Sequence, residues 1–264
     1  FYIYTTNNMT KTSHITKLSE LDINELTFSD LNKMSSGAQF GNIQKNGRMC
    51  LLQLPKITGF GADKYEDQEK GDSKFTMSVQ FTKEDIETNA SVKSAFEKIQ
   101  ELRSRVKTNA KENSQDYFKK KKASDDYVDA SFSDFLKESK DKNTAEPDGR
   151  YYTIKLKLKP SKKEEGKFDF GSFDSNKQKM DLNVDNITDK IKKWSKVKCT
   201  ITPNIWIIGG KFGVTWNLHQ MQYWEPEGGI PDKNEFCMID SSDDEEEDTK
   251  EDPHELIEDD DDSD

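Results

Sequence analysis

The stretch from Lys196 to Glu225 constrains the fold of this chain more than any other. Two runs rich in β-branched and aromatic residues flank Gly-Gly-Lys-Phe-Gly at 209–213, a composition typical of two strands joined by a glycine-containing turn. The pattern predicts a β-hairpin. In its second strand, the period of two places Val214, Trp216 and Leu218 on one face. We expect that face to be core and the opposite face to be available for binding.

The outward face of the predicted hairpin combines lysines with aromatic residues. Lys196 and Lys198 alternate with apolar residues in the first strand, and the alternation places Tyr223 outward in the second. Trp206 is also assigned to this face, with the alternative that Pro203 shifts the register and turns the ring into the core. Lysines beside exposed aromatics suit a single nucleic-acid strand, because lysine neutralises phosphates and aromatic rings stack on bases.

The charge of the chain is unevenly distributed. The formal net charge is −11, but residues 240–264 hold 16 of the 51 acids and one of the 40 bases. That segment therefore carries −15, which leaves +4 for residues 1–239. A mildly basic body with an acidic tail points to a polyanionic partner and to an internal competitor for it.

Three further segments have the pattern of strands. Residues 49–58 form an apolar run in which Pro55 indicates an edge or a bulge, and residues 74–81 and 150–159 alternate strictly between apolar and polar side chains. Lysines on the outward face of the last segment either protect a sheet edge or contact phosphates, and both interpretations stay open here. The outward residues of that strand are Tyr151, Lys155, Lys157 and Lys159.

Helices are predicted between and after these strands. Thr82, with an acid three residues later, has the pattern of a helix start, and apolar residues spaced by three or four from Val92 predict an amphipathic helix. A second helix is expected around 127–136 and a short one at 186–194. Lys119–Lys122 is either a solvated face or a phosphate contact.

Signatures of catalysis and of metal binding are lacking in the sequence. Three cysteines without CxxC spacing argue against a disulfide framework, and three histidines stand far apart in the chain, so we expect no zinc and no other cofactor. No Ser/His/Asp, HExxH or P-loop pattern favours an enzyme. No apolar run approaches the roughly 20 residues of a membrane span, so a soluble intracellular protein without a membrane partner is expected.

These patterns together favour a mainly β fold with inserted helices. We predict an OB-fold-like β-barrel, the common solution for binding single strands. It would occupy residues 45–225, with a helical insertion at about 85–140, after an N-terminal extension over 1–44. Residues 226–264 are predicted to be a disordered acidic tail, because self-repulsion and scarce apolar residues prevent a packed core there.

The hairpin sequence also carries a family resemblance. The run W-I-I-G-G-K-F-G-V-T-W-N-L-H-Q-M-Q at 206–222, followed by a strongly acidic C-terminus, resembles the single-stranded DNA-binding proteins of large double-stranded DNA viruses of eukaryotes. It is similar, more remotely, to the acidic-tailed single-stranded DNA-binding proteins of tailed phages. The resemblance covers about 45–225 in architecture, and the inserted helices depart from a minimal barrel.

The resemblance implies a protein that coats single-stranded DNA without base specificity during viral replication, recombination or repair. It further implies a tail that screens the binding groove and recruits replication proteins, at a viral replication site in the host cytoplasm or nucleus, or in the virion. The alternative is an acidic-tailed chaperone for basic proteins such as histones; RNA is also open as a ligand, and the oligomeric state is not predicted. The candidate nucleic-acid-binding residues are Tyr151, Lys155, Lys157, Lys159, Lys196, Lys198, Trp206, Lys211, Phe212 and Tyr223.

Overall fold

The computed structural model describes residues 15–66 and 73–226. Fourteen strands lie within these residues. They are β1 (Ile15–Lys17), β2 (Leu26–Phe28), β3 (Asn32–Lys33), β4 (Gln39–Lys45), β5 (Arg48–Met49), β6 (Leu51–Gln53), β7 (Ile57–Glu66), β8 (Ser73–Thr82), β9 (Phe132–Ser133), β10 (Lys137–Lys140), β11 (Pro147–Leu158), β12 (Gly171–Phe173), β13 (Lys193–Ile208) and β14 (Lys211–Trp224).

The helices are fewer, and four of the five described α-helices lie in one insertion between β8 and β11. Two 3₁₀ turns, Leu18–Glu20 and Ile23–Glu25, precede β2. The α-helices are α1 (Lys83–Thr88), α2 (Ala90–Glu112), α3 (Ser114–Phe118), α4 (Asp125–Ser131) and α5 (Ile187–Lys190). Among the described residues, no helix is both long and apolar enough to span a membrane.

Five strands close into a barrel. β7 pairs with β8, β8 with β11, β11 with β14, β14 with β13, and β13 again with β7. All of these pairings are antiparallel except that of β11 with β14, which is parallel. Numbered along the barrel, the strands follow the order 1-2-3-5-4-1 of an OB-fold. The predicted mainly β, OB-fold-like architecture with inserted helices is confirmed, and the predicted tail lies outside the described residues.

Local sequence explains the strands and the helix start that precede the insertion. In β8, Phe75, Met77 and Val79 are buried, as the alternation predicts. The side chain of Thr82 then accepts a hydrogen bond of 3.0 Å from the backbone N–H of Asp85, which satisfies one of the free donors at a helix start. The predicted strand at 49–58 is instead interrupted around Pro55, between β6 and β7.

The insertion between β8 and β11 docks on the barrel through aromatic rings. Phe212, at the start of β14, is fully buried. Its ring centroid lies 5.3 to 5.6 Å from those of Tyr117, Phe118 and Phe132. The predicted helix around 127–136 ends earlier, at Ser131, because the chain then pairs with β14 as β9.

Residues before the barrel extend its sheet. β1 pairs with β6, and β4 pairs with β13 from Asn204 to Ile207. β2 and β3 cover the other edge of β4. The part of the predicted N-terminal extension that the structure describes therefore supplies strands beside the hairpin of β13 and β14.

Candidate nucleic-acid interface

A groove of about 260 Å³ crosses the outer face of the sheet formed by β4, β13, β14 and β11. We call it the Trp206 groove. One wall comes from lysines of β11, the floor from asparagines, and the other wall from aromatic residues of β4 and β13. Its lining comprises Asn32, Phe40, Gly41, Asn42, Lys157, Lys159, Asn204, Ile205, Trp206, Thr215 and Asn217.

The floor of the Trp206 groove is a row of three asparagine amides. Asn217 Nδ2 donates to Asn204 Oδ1 at 2.5 Å, and Asn204 Nδ2 donates to Asn42 Oδ1 at the same distance. Each amide is thereby held in one orientation across three adjacent strands. The floor is polar but uncharged, so it can lie beneath a nucleic-acid strand without repelling its phosphates.

The lysine wall lies on the outward face of β11 and continues to Lys159, the residue that follows this strand. Lys155, Lys157 and Lys159 are exposed, and Lys157 is the register partner of Asn217 in β14. Partial burial lowers the pKa of Lys159, and the neighbouring charge of Lys157 lowers it further. A bound phosphate would relieve this like-charge repulsion.

The aromatic wall depends on a glycine. Trp206 pairs across the strands with Phe40 on one side and with Gly213 on the other. A Cβ on Gly213 would lie 2.9 Å from Trp206 Cζ2, so the indole covers the backbone of β14 only because no side chain stands there. Trp206 is half-buried and Phe40 is 38% exposed. Trp206 lies on the outward face of β13, and Pro203 does not shift the register.

The structure brings together only part of the predicted set. Lys157, Lys159 and Trp206 line one groove, and Lys155 lies on the same face of β11, opposite Ser78. Tyr151 is half-buried near the far end of that strand, where it pairs with Thr82. We therefore regard the three groove residues and Lys155 as the candidate interface.

Two predicted stacking residues are in the core. The prediction of exposure is wrong for Phe212, which is 0% exposed, and for Tyr223, which is 3% exposed. Phe212 has the same parity as Val214 and Trp216, so alternation itself directs it inward. Tyr223 is buried because the register shifts by one residue: Thr200 pairs with Gln220 but Ile201 pairs with Leu218. That β-bulge exchanges the two faces of β14 beyond it.

The remaining predicted lysines lie elsewhere. Lys211 Nζ donates to the backbone carbonyl of Ala130 at 2.6 Å, which ties the hairpin to the insertion. Lys196 Nζ donates to Thr58 Oγ1 at 3.0 Å and lies 3.9 Å from a carboxylate oxygen of Asp85. Lys198 is exposed on β13, eight residues before Trp206. None of the three lines the Trp206 groove.

Sequence analysis missed the contribution of β4 to the groove. Phe40 and Asn42 come from a segment in which no strand was predicted; the alternation of buried and exposed positions from Gln39 to Ile43 is a property of the structure, and the residue types there do not alternate. Asn204 was missed even though it shares the parity of Lys196 and Lys198 on β13. This shared parity could have identified Asn204 as an outward residue of the strand.

Buried thiols account for two of the cysteines, Cys50 and Cys199. Burial raises the pKa of Cys50 to about 11 and that of Cys199 still further, so both are unreactive thiols at neutral pH. Across residues 15–66 and 73–226, no group of three His, Cys, Asp or Glu is arranged to hold a metal ion.

Comparison with known proteins gave likenesses of structure only. No protein-family model matches the chain, and no curated protein matches it. The single-stranded DNA-binding protein from bacteriophage Enc34 in complex with ssDNA is 11% identical, with a TM-score of 0.44 over 75% of this chain and 95% of that one. Gp2.5, a single-stranded DNA-binding protein encoded by bacteriophage T7, is 13% identical, with a TM-score of 0.40 over 72% of this chain and 100% of that one. Structural similarity this distant does not indicate the function of this chain. The residues of the Trp206 groove provide the basis for the function proposed below.

Proposed function

We propose that this protein binds single-stranded DNA without base specificity through the Trp206 groove. The observation that carries the proposal is the placing of two exposed lysines, Lys157 and Lys159, opposite Trp206 and Phe40 across an uncharged floor on an OB-fold-like barrel. Lysines bind the phosphates, and the rings stack on bases of any identity.

The geometry favours a single strand over a duplex. The exposed aromatic faces are useful only to bases that are unstacked and accessible. Mutual hydrogen bonds fix the orientation of the amide row from Asn217 to Asn42, so these amides do not turn to match the edges of different bases. The groove therefore supports backbone and stacking contacts, which carry no sequence information.

Fluorescence anisotropy with labelled oligo-dT tests the proposal. Binding by the full chain should weaken steeply with salt, by about 0.7 in log–log slope for each phosphate neutralised. The double variant Lys157→Gln, Lys159→Gln should lower that slope by about 1.4 and weaken binding roughly tenfold at about 100 mM salt. The matched control is Lys83→Gln, Lys93→Gln, which removes the same charge from the exposed lysines of α1 and α2.

The control variant should bind like the parent protein. Equal weakening in the two double variants would mean that net charge, and not the groove, attracts the DNA. If oligo-dT does not bind and a basic protein such as histone does, the acidic-chaperone alternative replaces our proposal. Oligo-rU in the same assay measures the preference between DNA and RNA.

We further propose a role in viral DNA replication, recombination or repair, at a viral replication site in the host cell or in the virion. The support is the sequence resemblance at 206–222. The acidic tail would screen the groove when DNA is absent and recruit replication proteins when DNA displaces it. The support for this is the charge of −15 on residues 240–264 against +4 on the rest of the chain, at an effective concentration in the millimolar range for a short tether.

A further inference from the structure

We infer that the DNA-binding surface is bipartite and that a second groove, at the other end of the hairpin, holds another segment of the same strand. This inference rests on the proposed function. The second groove has a volume of about 300 Å³ and lies between β6, β13, β14 and β12. We call it the Lys198 groove; its lining includes Gln53, Phe173, Lys177, Lys198, Gln220 and Met221.

Two lysines line the Lys198 groove and two more line the hollow beside it. Lys177 and Lys198 are both exposed. The groove continues, past Gln53 and Lys198, into a second hollow lined by Lys17 and Lys56. Lys17 is already paired with Glu20 at 2.8 Å, whereas Lys56 Nζ lies 4.4 Å from the ring centroid of Trp224. No acidic side chain belongs to the described lining of either hollow.

Asp174, whose backbone contacts the groove residue Gln222, has a carboxylate that is already engaged. The Asp174 carboxylate accepts hydrogen bonds of 2.9 and 2.8 Å from the backbone N–H groups of Asn176 and Gln178. The backbone carbonyl of Asp174 accepts a bond from Gln222 Nε2. These bonds hold the carboxylate within its own turn, where it accepts from backbone N–H groups and not from Lys177 or Lys198.

The two grooves lie on one face of one strand. Lys198 and Trp206 have the same parity on β13, so both point outward. Eight residues at about 3.3 Å each separate them by about 26 Å. At about 3.4 Å per stacked nucleotide, that distance corresponds to about eight nucleotides, within the range of about 4 to 16 nucleotides that one OB-fold covers.

A second segment of the same strand is therefore the occupant that the geometry favours. Between the two grooves the outward residues of β13 are Thr200 and Thr202, which are polar and buried, so a polyanion running from Trp206 to Lys198 would pass over them. The half-buried ring of Phe173 gives the second groove an apolar surface, on which a base can lie. The chain's own acidic tail, the other polyanion at hand, is distinguished by experiment.

Oligonucleotide length provides the test. In the full chain, Lys177→Gln with Lys198→Gln should leave the affinity for an oligo-dT of about 4 nucleotides within twofold, because that ligand fits one groove. The same variant should weaken binding of an oligo-dT of about 16 nucleotides roughly tenfold at about 100 mM salt. The control is again Lys83→Gln with Lys93→Gln.

A photocrosslink identifies the occupant. Gln220 is exposed in the Lys198 groove, and Gln220→p-benzoylphenylalanine in the full chain should crosslink to the longer oligonucleotide. Unchanged affinity of the lysine variant for the longer ligand, or a crosslink to the C-terminal peptide while DNA is bound, overturns the bipartite surface. If the parent protein binds neither oligonucleotide, the proposed function itself fails, which is a different result.

Discussion

Trp216 and Trp206 lie on opposite faces of the same hairpin, and their replacement should separate stability from binding. Trp216 is 1% exposed and its ring centroid lies 5.3 Å from that of Phe135. Replacing a buried Trp with Ala typically costs about 3 to 5 kcal/mol. In a domain of this size, each kcal/mol lowers Tm by about 2 to 4 °C. Trp216→Ala should therefore lower Tm by about 6 to 20 °C.

The indole nitrogen of Trp216 refines this prediction. Nε1 is buried and finds no acceptor among the described residues. An unpaired buried donor costs about 1 to 3 kcal/mol, a penalty that Trp216→Phe removes while it keeps most of the apolar ring. The two effects oppose each other, so we expect Trp216→Phe to change the free energy of unfolding by less than about 1.5 kcal/mol.

Urea denaturation and oligo-dT anisotropy on the same samples provide the assay. Trp216→Phe should retain the parent affinity, and the folded fraction of Trp216→Ala should as well. The half-buried Trp206 gives the matched control: Trp206→Ala should weaken binding by about 1 to 3 kcal/mol with little loss of stability. If Trp216→Phe proved as destabilising as Trp216→Ala, the indole nitrogen would have a partner and our account of this site would be wrong.

Two further perturbations test the groove and the tail. Gly213→Ala places a Cβ 2.9 Å from both Ser133 O and Trp206 Cζ2, so it should cost about 1 to 3 kcal/mol of stability and weaken oligo-dT binding; unchanged urea and anisotropy curves would contradict the packing of Trp206. A truncation after Met238 removes the acidic segment and should tighten oligo-dT binding, most clearly at about 50 mM salt where screening is weak. Equal affinity of the truncated and full chains would leave the tail without a screening role.

Local sequence patterns were enough to predict strands of the barrel, but they did not predict β4, which pairs with the barrel from outside. Alternation identified β8 and β11, and the hydroxyl of Thr82 marked the start of α1, because these signals lie within a few residues of the elements they form. β4 was missed because its partner is distant. Asn42 pairs with Asn204, and no local period indicates which of many exposed edges a short polar strand will choose. The lysine wall was therefore predicted, while half of the aromatic wall was not.

The wrong prediction that Tyr223 is exposed points to a β-bulge that lies between the two grooves. Val214, Trp216 and Leu218 point inward at even positions, whereas Met221 and Tyr223 are buried at odd ones. His219 lies at the bulge and has no register partner in β13, so the alternation shifts by one residue between the two sets. An unbroken alternation would turn Met221 and Tyr223 outward and direct Gln220 into the core. The bulge thus places Gln220 and Gln222 on the same outer face of β14 as Thr215 and Asn217, so this face stays polar from the Trp206 groove to the Lys198 groove.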